Sequence, residues 1–227
     1  MTRDPTLLIF DCDGVLVDSE LLANTAIAEL MTRLGRPMTA QQALGLFVGK
    51  RLREVLAAAE VLLGAPIPPA AAERAGRQLL ERFRRDLKPI DGVRAAIEAL
   101  PYRRCVASSS TPERIRISLE TTGLVSLFGD RVFSAEQVAN GKPAPDLFLL
   151  AARSLGAAPA DCIVIEDSPL GIEAARSAGM RAIGFAGASQ IDAAAARRIA
   201  LAGADRVIRR MADLPAAVEA VRGHART

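Results

Sequence analysis

Thr6-Leu-Leu-Ile-Phe10 runs directly into Asp11-Cys-Asp-Gly14, and this junction decides how the rest of the chain reads. A short unbroken apolar run suits a strand whose sheet is covered by helices on both faces, and here it ends on two carboxylates. Comparable runs follow at residues 104–107, 130–133, 162–165, 180–183 and 205–208, separated by segments of helical periodicity. That alternation predicts an α/β protein with a doubly wound, mostly parallel sheet of Rossmann-like type.

Working outward from the first run, the pattern changes at once. Between residues 19 and 86 only helical periodicity is found, over 21–34, 41–63 and 70–85, with Gly35 and the Pro66 to Pro69 stretch as breaks. An all-helical cap therefore interrupts the sheet just after its first strand. The seams fall near Val15 to Asp18 and near Asp86 to Asp91, where Lys88-Pro-Ile-Asp-Gly92 supplies turn chemistry. The expected division is an α/β core of residues 1–17 and 88–227 around a cap of residues 18–87, with the two passes acting as a hinge.

Composition narrows the class of partner. The 227 residues are 50% hydrophobic, enough for a sizeable core, and 29 basic against 26 acidic residues give a net charge of +3, too even for a nucleic-acid footprint. Aromatics are only 4% and Trp is absent, which argues against base-stacking surfaces. Cys12, Cys105 and Cys162 are odd in number and embedded in apolar runs, so they read as buried thiols of a reducing compartment. With neither a leader pattern at Met1 nor an 18-residue apolar span, the expectation is a cytoplasmic protein without a membrane partner. A monomer or weak homodimer is expected.

Open parallel sheets bind ligands beyond the carboxyl ends of their strands. Three runs deliver polar groups there: Asp11-Cys-Asp13, Ser108-Ser-Ser110 and Glu166-Asp167-Ser168. Four carboxylates in one crevice repel one another, and a hard divalent cation relieves that conflict. Oxygen-only ligands without His or Cys favour Mg²⁺ over zinc. The Ser108-Ser-Ser-Thr-Pro-Glu113 segment offers hydroxyls, backbone N–H groups and a helix start, which together make an anion seat. Lys142, in Asn140-Gly-Lys-Pro-Ala-Pro145, brings a fixed ammonium to neutralise both phosphate and Asp11. His224, the only histidine, lies in a polar tail, and this chemistry does not require one.

Asp11-Cys-Asp-Gly-Val-Leu-Val-Asp-Ser19, Ser108, Lys142-Pro143 and Glu166-Asp-Ser-Pro-Leu-Gly171 together resemble the four ordered motifs of the haloacid dehalogenase-like hydrolase superfamily. The likeness spans nearly the whole chain and is greatest to the helical-cap branch that includes β-phosphoglucomutase and many sugar-phosphate phosphatases. The resemblance implies that Asp11 attacks phosphorus, while Asp13 protonates the leaving alcohol and later activates water. It implies Mg²⁺ held by Asp11, the backbone carbonyl of Asp13 and Asp167, with Glu166 near or in the shell. Ser108, with Ser109 beside it, and Lys142 are implied to bind the phosphoryl group.

By the same resemblance, an aspartate two residues after the nucleophile, here Asp13, favours ester chemistry over carbon–halide or phosphonate cleavage. Phosphatase and phosphomutase both remain open. Related mutases carry a His in the helix after the first motif, at a position that falls on Ala23 here, which weakens the mutase reading. A non-catalytic phosphate-ligand-binding module is the third reading, opposed by the intact motif set. In the cap, Phe47-Val-Gly-Lys-Arg51 joins two helices, and Lys50 and Arg51 are expected to bind a second anionic group on a small phosphorylated sugar or sugar acid.

Overall fold

The computed structural model describes residues 4–47, 50, 52–188 and 191–223. Six strands, β1 (Leu7–Phe10), β2 (Arg103–Ser108), β3 (Val132–Ser134), β4 (Cys162–Glu166), β5 (Arg181–Phe185) and β6 (Arg206–Ile208), form one sheet. Its order is β3-β2-β1-β4-β5-β6, and every adjacent pair is parallel. The helices are α1 (Glu20–Arg33), α2 (Ala40–Phe47), α3 (Leu52–Leu63), α4 (Pro69–Asp86), α5 (Val93–Glu98), α6 (Pro112–Thr121), α7 (Val125–Phe128), α8 (Asp146–Ser154), α9 (Pro169–Ser177), α10 (Ala193–Leu201) and α11 (Leu214–Gly223). The α/β expectation holds, and all six apolar runs lie on or overlap strands.

Why the strand residues are apolar throughout follows from the two faces they serve. Leu8 and Phe10 of β1, with Val106, Ile165 and Phe185 of its neighbours, pack with residues of α5, α6, α7 and α11. Leu7 and Ile9, with Cys105, Val164 and Ala182, pack on the other face with α8, α9 and α10. Burying each of the larger side chains stabilises the fold by about 1.5–3 kcal/mol. The three cysteines are free and buried.

Helices α1 to α4 surround a cluster of their own, built from Leu30, Met31, Phe47, Val55, Ala59 and Ile67 among others. Helical periodicity over 41–63 is carried by two helices, α2 up to Phe47 and α3 from Leu52. The chain enters and leaves this insert side by side: the Asp18 N–H donates to the Lys88 carbonyl at 3.0 Å, and the Ile90 N–H donates to the Leu16 carbonyl at 3.0 Å. Phe83, near the end of α4, is fully buried in the cluster under the sheet rather than in the insert's own. No described helix is long and apolar enough to cross a membrane.

Candidate active site

The order of strands puts β2, β1 and β4 at the centre, so their three polar ends meet in one cleft. The cleft is lined on the sheet side by Asp11, Asp13, Ser108, Ser109, Ser110, Arg114, Lys142, Glu166, Asp167 and Ser168. From the insert it is lined by Glu20, Ala23, Asn24, Ile27, Phe47, Lys50, Leu52, Val55 and Leu79. Asp11 extends the ladder by donating its N–H to the Ile165 carbonyl at 3.0 Å. Gly14 then turns the chain back with φ of 78°, a conformation that costs glycine no side-chain clash, and its N–H donates to the Val17 carbonyl at 2.8 Å. The turn leaves Asp11 and Asp13 on the same side of the sheet edge.

Lys142 is the hub. Its Nζ donates to Asp11 Oδ1 at 2.6 Å, to Glu166 Oε1 at 2.5 Å and to the Ala107 carbonyl at 3.3 Å, and it lies 5.0 Å from the centre of the Phe148 ring. Burial alone opposes its charge, but the two carboxylates outweigh burial and hold its pKa above the usual lysine value. The other oxygen of Glu166, Oε2, accepts from the Ser168 N–H at 2.8 Å and the Ser168 hydroxyl at 2.9 Å. Ser168 also caps α9, accepting from the Gly171 N–H at 3.1 Å. Both Glu166 oxygens therefore serve protein donors. Glu166 thus lies beside Asp11 in the cleft, held by Lys142 and Ser168, and keeps acceptor capacity on Oε1.

Asp13 sits in a different electrostatic setting from Asp11. Its carboxylate accepts from Arg114 Nη2 at 2.7 Å, from Ser110 Oγ at 2.5 Å and from the hydroxyl of Ser19. Burial works against the charge, yet Arg114 and the hydroxyl donors overcome it and keep the pKa below the ordinary carboxylate value. For Asp11 the balance is reversed. Burial, with Glu166 and Asp13 nearby, outweighs Lys142 and pushes its pKa up to about 8. Asp167 is also raised well above the usual range by burial and by Glu166 and Asp11.

These opposing shifts describe a cleft with excess negative charge: five carboxylates line it against Lys50, Arg114 and Lys142. A divalent cation fits that imbalance. Asp11, Asp167 and the Asp13 carbonyl are hard oxygen donors of the kind magnesium takes alongside water and phosphate oxygens.

Ser108 is buried, and its Oγ accepts from the Ser110 N–H at 3.1 Å, folding the loop so that Ser109 also lines the cleft. Ser110 is not the cap of α6. Thr111 takes that place, accepting from the Arg114 N–H at 3.3 Å, with Pro112 in the first turn. Of the two basic residues in the insert loop, Lys50 is exposed and lines the cleft, whereas Arg51 lies outside the described residues. Ala23 lines the cleft at the position assigned to it.

The sequence reading missed Arg114, Glu20 and Asn24. Arg114 lies on α6 with its guanidinium 5.0 Å from the Phe83 ring, and its buried Nε has no hydrogen-bond partner among the described residues. Glu20 opens α1, where an acid ordinarily needs no explanation beyond the helix dipole. In the cleft its pKa is pushed up to about 7, by burial first and then by Asp13.

Asp11 at the end of β1, the Lys142 ammonium bound to it and a second aspartate at the same sheet edge accord with a haloacid dehalogenase-like hydrolase, and the chain belongs to that family, whose profile matches residues 8–185. Within it, the chain falls in the sugar-phosphate phosphatase branch. It is 28% identical over 179 residues to a 6-phosphogluconate phosphatase of Escherichia coli (strain K12), covering 78% of this chain and 81% of that one. It is 35% identical over 188 residues to a phosphorylated carbohydrates phosphatase of Thermotoga maritima, covering 78% and 82%. A solved haloacid dehalogenase-like protein of unknown function from Agrobacterium tumefaciens str. C58 superposes with a TM-score of 0.82 at 40% identity, covering 95% of this chain and 98% of that one.

Proposed function

We propose that the protein is a magnesium-dependent phosphatase that hydrolyses a small phosphorylated metabolite, a sugar or sugar-acid phosphate, through an aspartyl-phosphate on Asp11. The observation that carries this reading is the buried Lys142 bridge between Asp11 and Glu166, with Asp13 held separately at the same sheet edge. Lys142 orients the Asp11 carboxylate and offsets charge as a phosphoryl group approaches. Asp11 Oδ attacks phosphorus, the bond to the ester oxygen breaks, and Asp13 gives its proton to the departing alkoxide. In the second half, Asp13 as carboxylate takes a proton from water, which attacks phosphorus and releases Asp11. Arg114, Ser110 and Ser19 stabilise Asp13 in that ionised form. Ser108 and Ser109 supply donors at the phosphoryl oxygens. Held by Asp11, Asp167 and the Asp13 carbonyl, Mg²⁺ would supply positive charge opposite those oxygens.

The helices of residues 18–87 act as a cap over this cleft, and the paired passes at Asp18 and Lys88 act as its hinge. The names of the relatives, and Lys50 at the cleft, support a phosphorylated carbohydrate as substrate. Ala23 offers no side-chain donor or acceptor, which favours hydrolysis over phosphomutase chemistry. The test is hydrolysis of p-nitrophenyl phosphate and a phosphosugar panel with Mg²⁺. Activity is expected, abolished by Asp11→Asn and by chelator. Failure to hydrolyse any phosphate ester overturns the proposal in favour of a binding module.

A further inference from the structure

The phosphoryl-transfer chemistry leaves one cleft carboxylate unused. Glu20 is only 9% exposed and lines the same cleft as Asp11, Ser108 and Lys142. Among the described residues it forms no ion pair, and its carboxylate receives one hydrogen bond, from Asn24 Nδ2 to Oε2 at 3.1 Å. The same Nδ2 donates to the Glu20 carbonyl at 2.8 Å, so Asn24 ties side chain and backbone together one helical turn away. A carboxylate accommodates about four hydrogen bonds. One that is buried with most of its acceptor capacity open is costly unless donors reach it from the cleft. Of the residues that line the cleft from the insert, Ala23, Ile27 and Leu79 have no side-chain donors to give, and among the described residues Lys50 forms no ion pair with Glu20.

The chemistry of those missing donors is constrained. Asp13 raises the Glu20 carboxyl by its charge while Arg114 lowers it, so the neighbouring charges call for no further ion from a ligand. Neutral O–H groups are accepted. We propose that Glu20, oriented by Asn24, receives substrate hydroxyls and sets a preference for phosphate monoesters of polyhydroxylated carbon chains over those of bare hydrocarbon chains. This inference rests on the phosphatase reading and adds a specificity residue to it.

The test compares kcat/KM for glycerol 1-phosphate and n-propyl phosphate, which share a carbon skeleton and differ in two hydroxyls, with p-nitrophenyl phosphate as a general reporter. The wild-type ratio favours glycerol 1-phosphate. In Glu20→Ala it falls roughly 10- to 100-fold, the range for a lost hydrogen bond to a charged group. Asn24→Ala shifts it the same way by less. Glu20→Gln, which keeps an acceptor oxygen and guards against failure of the alanine variant to fold, retains more of the ratio than alanine does. A ratio within twofold of wild type in both Glu20 variants overturns the inference, since a merely structural role lowers both substrates alike. Active wild type on p-nitrophenyl phosphate in that case leaves the phosphatase reading standing. Wild type inactive on all three esters overturns that reading and the inference with it.

Discussion

Replacing Lys142 by methionine keeps an unbranched chain against Phe148 and removes the one charge that Asp11 and Glu166 share. Breaking a buried ion pair from one side costs about 3–5 kcal/mol, because the remaining charge is left without compensation. Here two carboxylates lose their partner at 2.6 and 2.5 Å, so the upper part of that range is expected when both are ionised. For a chain of this size, about 2–4 °C of Tm accompanies each kcal/mol, which predicts a fall of roughly 10–20 °C. The loss depends on pH. A carboxyl whose folded pKa lies above its unfolded value favours the folded state fully below the unfolded value, and that advantage disappears as pH rises through the folded one. Asp11, raised from 3.8 to about 8 even with Lys142 present, goes higher without it. At pH 5.5 Asp11 is protonated with or without Lys142 and its contribution to the cost is small. At pH 8.5 wild-type Asp11 ionises against Lys142 while the orphaned group resists ionising, so the cost is greater and goes on rising with pH. Urea unfolding of metal-free wild type and variant, followed by circular dichroism at both pH values, measures the difference. A cost that does not grow between pH 5.5 and pH 8.5 refutes the view of Lys142 as the shared counter-charge.

Three further outcomes are expected. Arg114→Met removes the charge that keeps Asp13 ionised, so the Asp13 pKa rises and the limb of the kcat/KM profile that Asp13 sets moves to higher pH; an unmoved limb in a pH–rate profile contradicts that assignment. A Cβ added at Gly171 stands 1.9 Å from Glu166 Cδ, and Glu166 is pinned by Lys142 and Ser168, so Gly171→Ala displaces the Lys142 bridge and lowers kcat/KM by about 100-fold; activity within twofold of wild type shows the bridge to be dispensable. Mg²⁺ raises the Tm of the metal-free protein more at pH 8.5 than at pH 5.5, because binding must displace protons from Asp11 and Asp167; equal increments in a thermal melt at the two pH values count against those ligands.

The sheet was legible because a strand covered on both faces leaves no room for polar residues, and β1 and β4 are buried at every position. The catalytic candidates were legible for the related reason that polar residues following such runs stand out. Arg114 and Glu20 were not. Each sits on an amphipathic helix where a charged side chain is ordinary, and Arg114 meets Asp13 across 101 positions of sequence. The pairing of Glu166 with Lys142 joins positions 24 residues apart, a contact that no local pattern encodes.

Joining the two passes of the insert edge to edge also bears on how the chain folds. In the sheet β1 pairs with β2 and β4, yet the whole insert lies between β1 and β2 in sequence. Closing so long a loop before any reward arrives is entropically slow. Helices α1 to α4, with mainly local contacts and a nucleus of their own, can form first and draw Asp18 to Lys88. The separation that β1 and β2 must then bridge is a few residues on either side of that hydrogen bond. An insert formed first would act as a splint, shortening the effective chain between two strands that are distant in sequence and adjacent in the sheet.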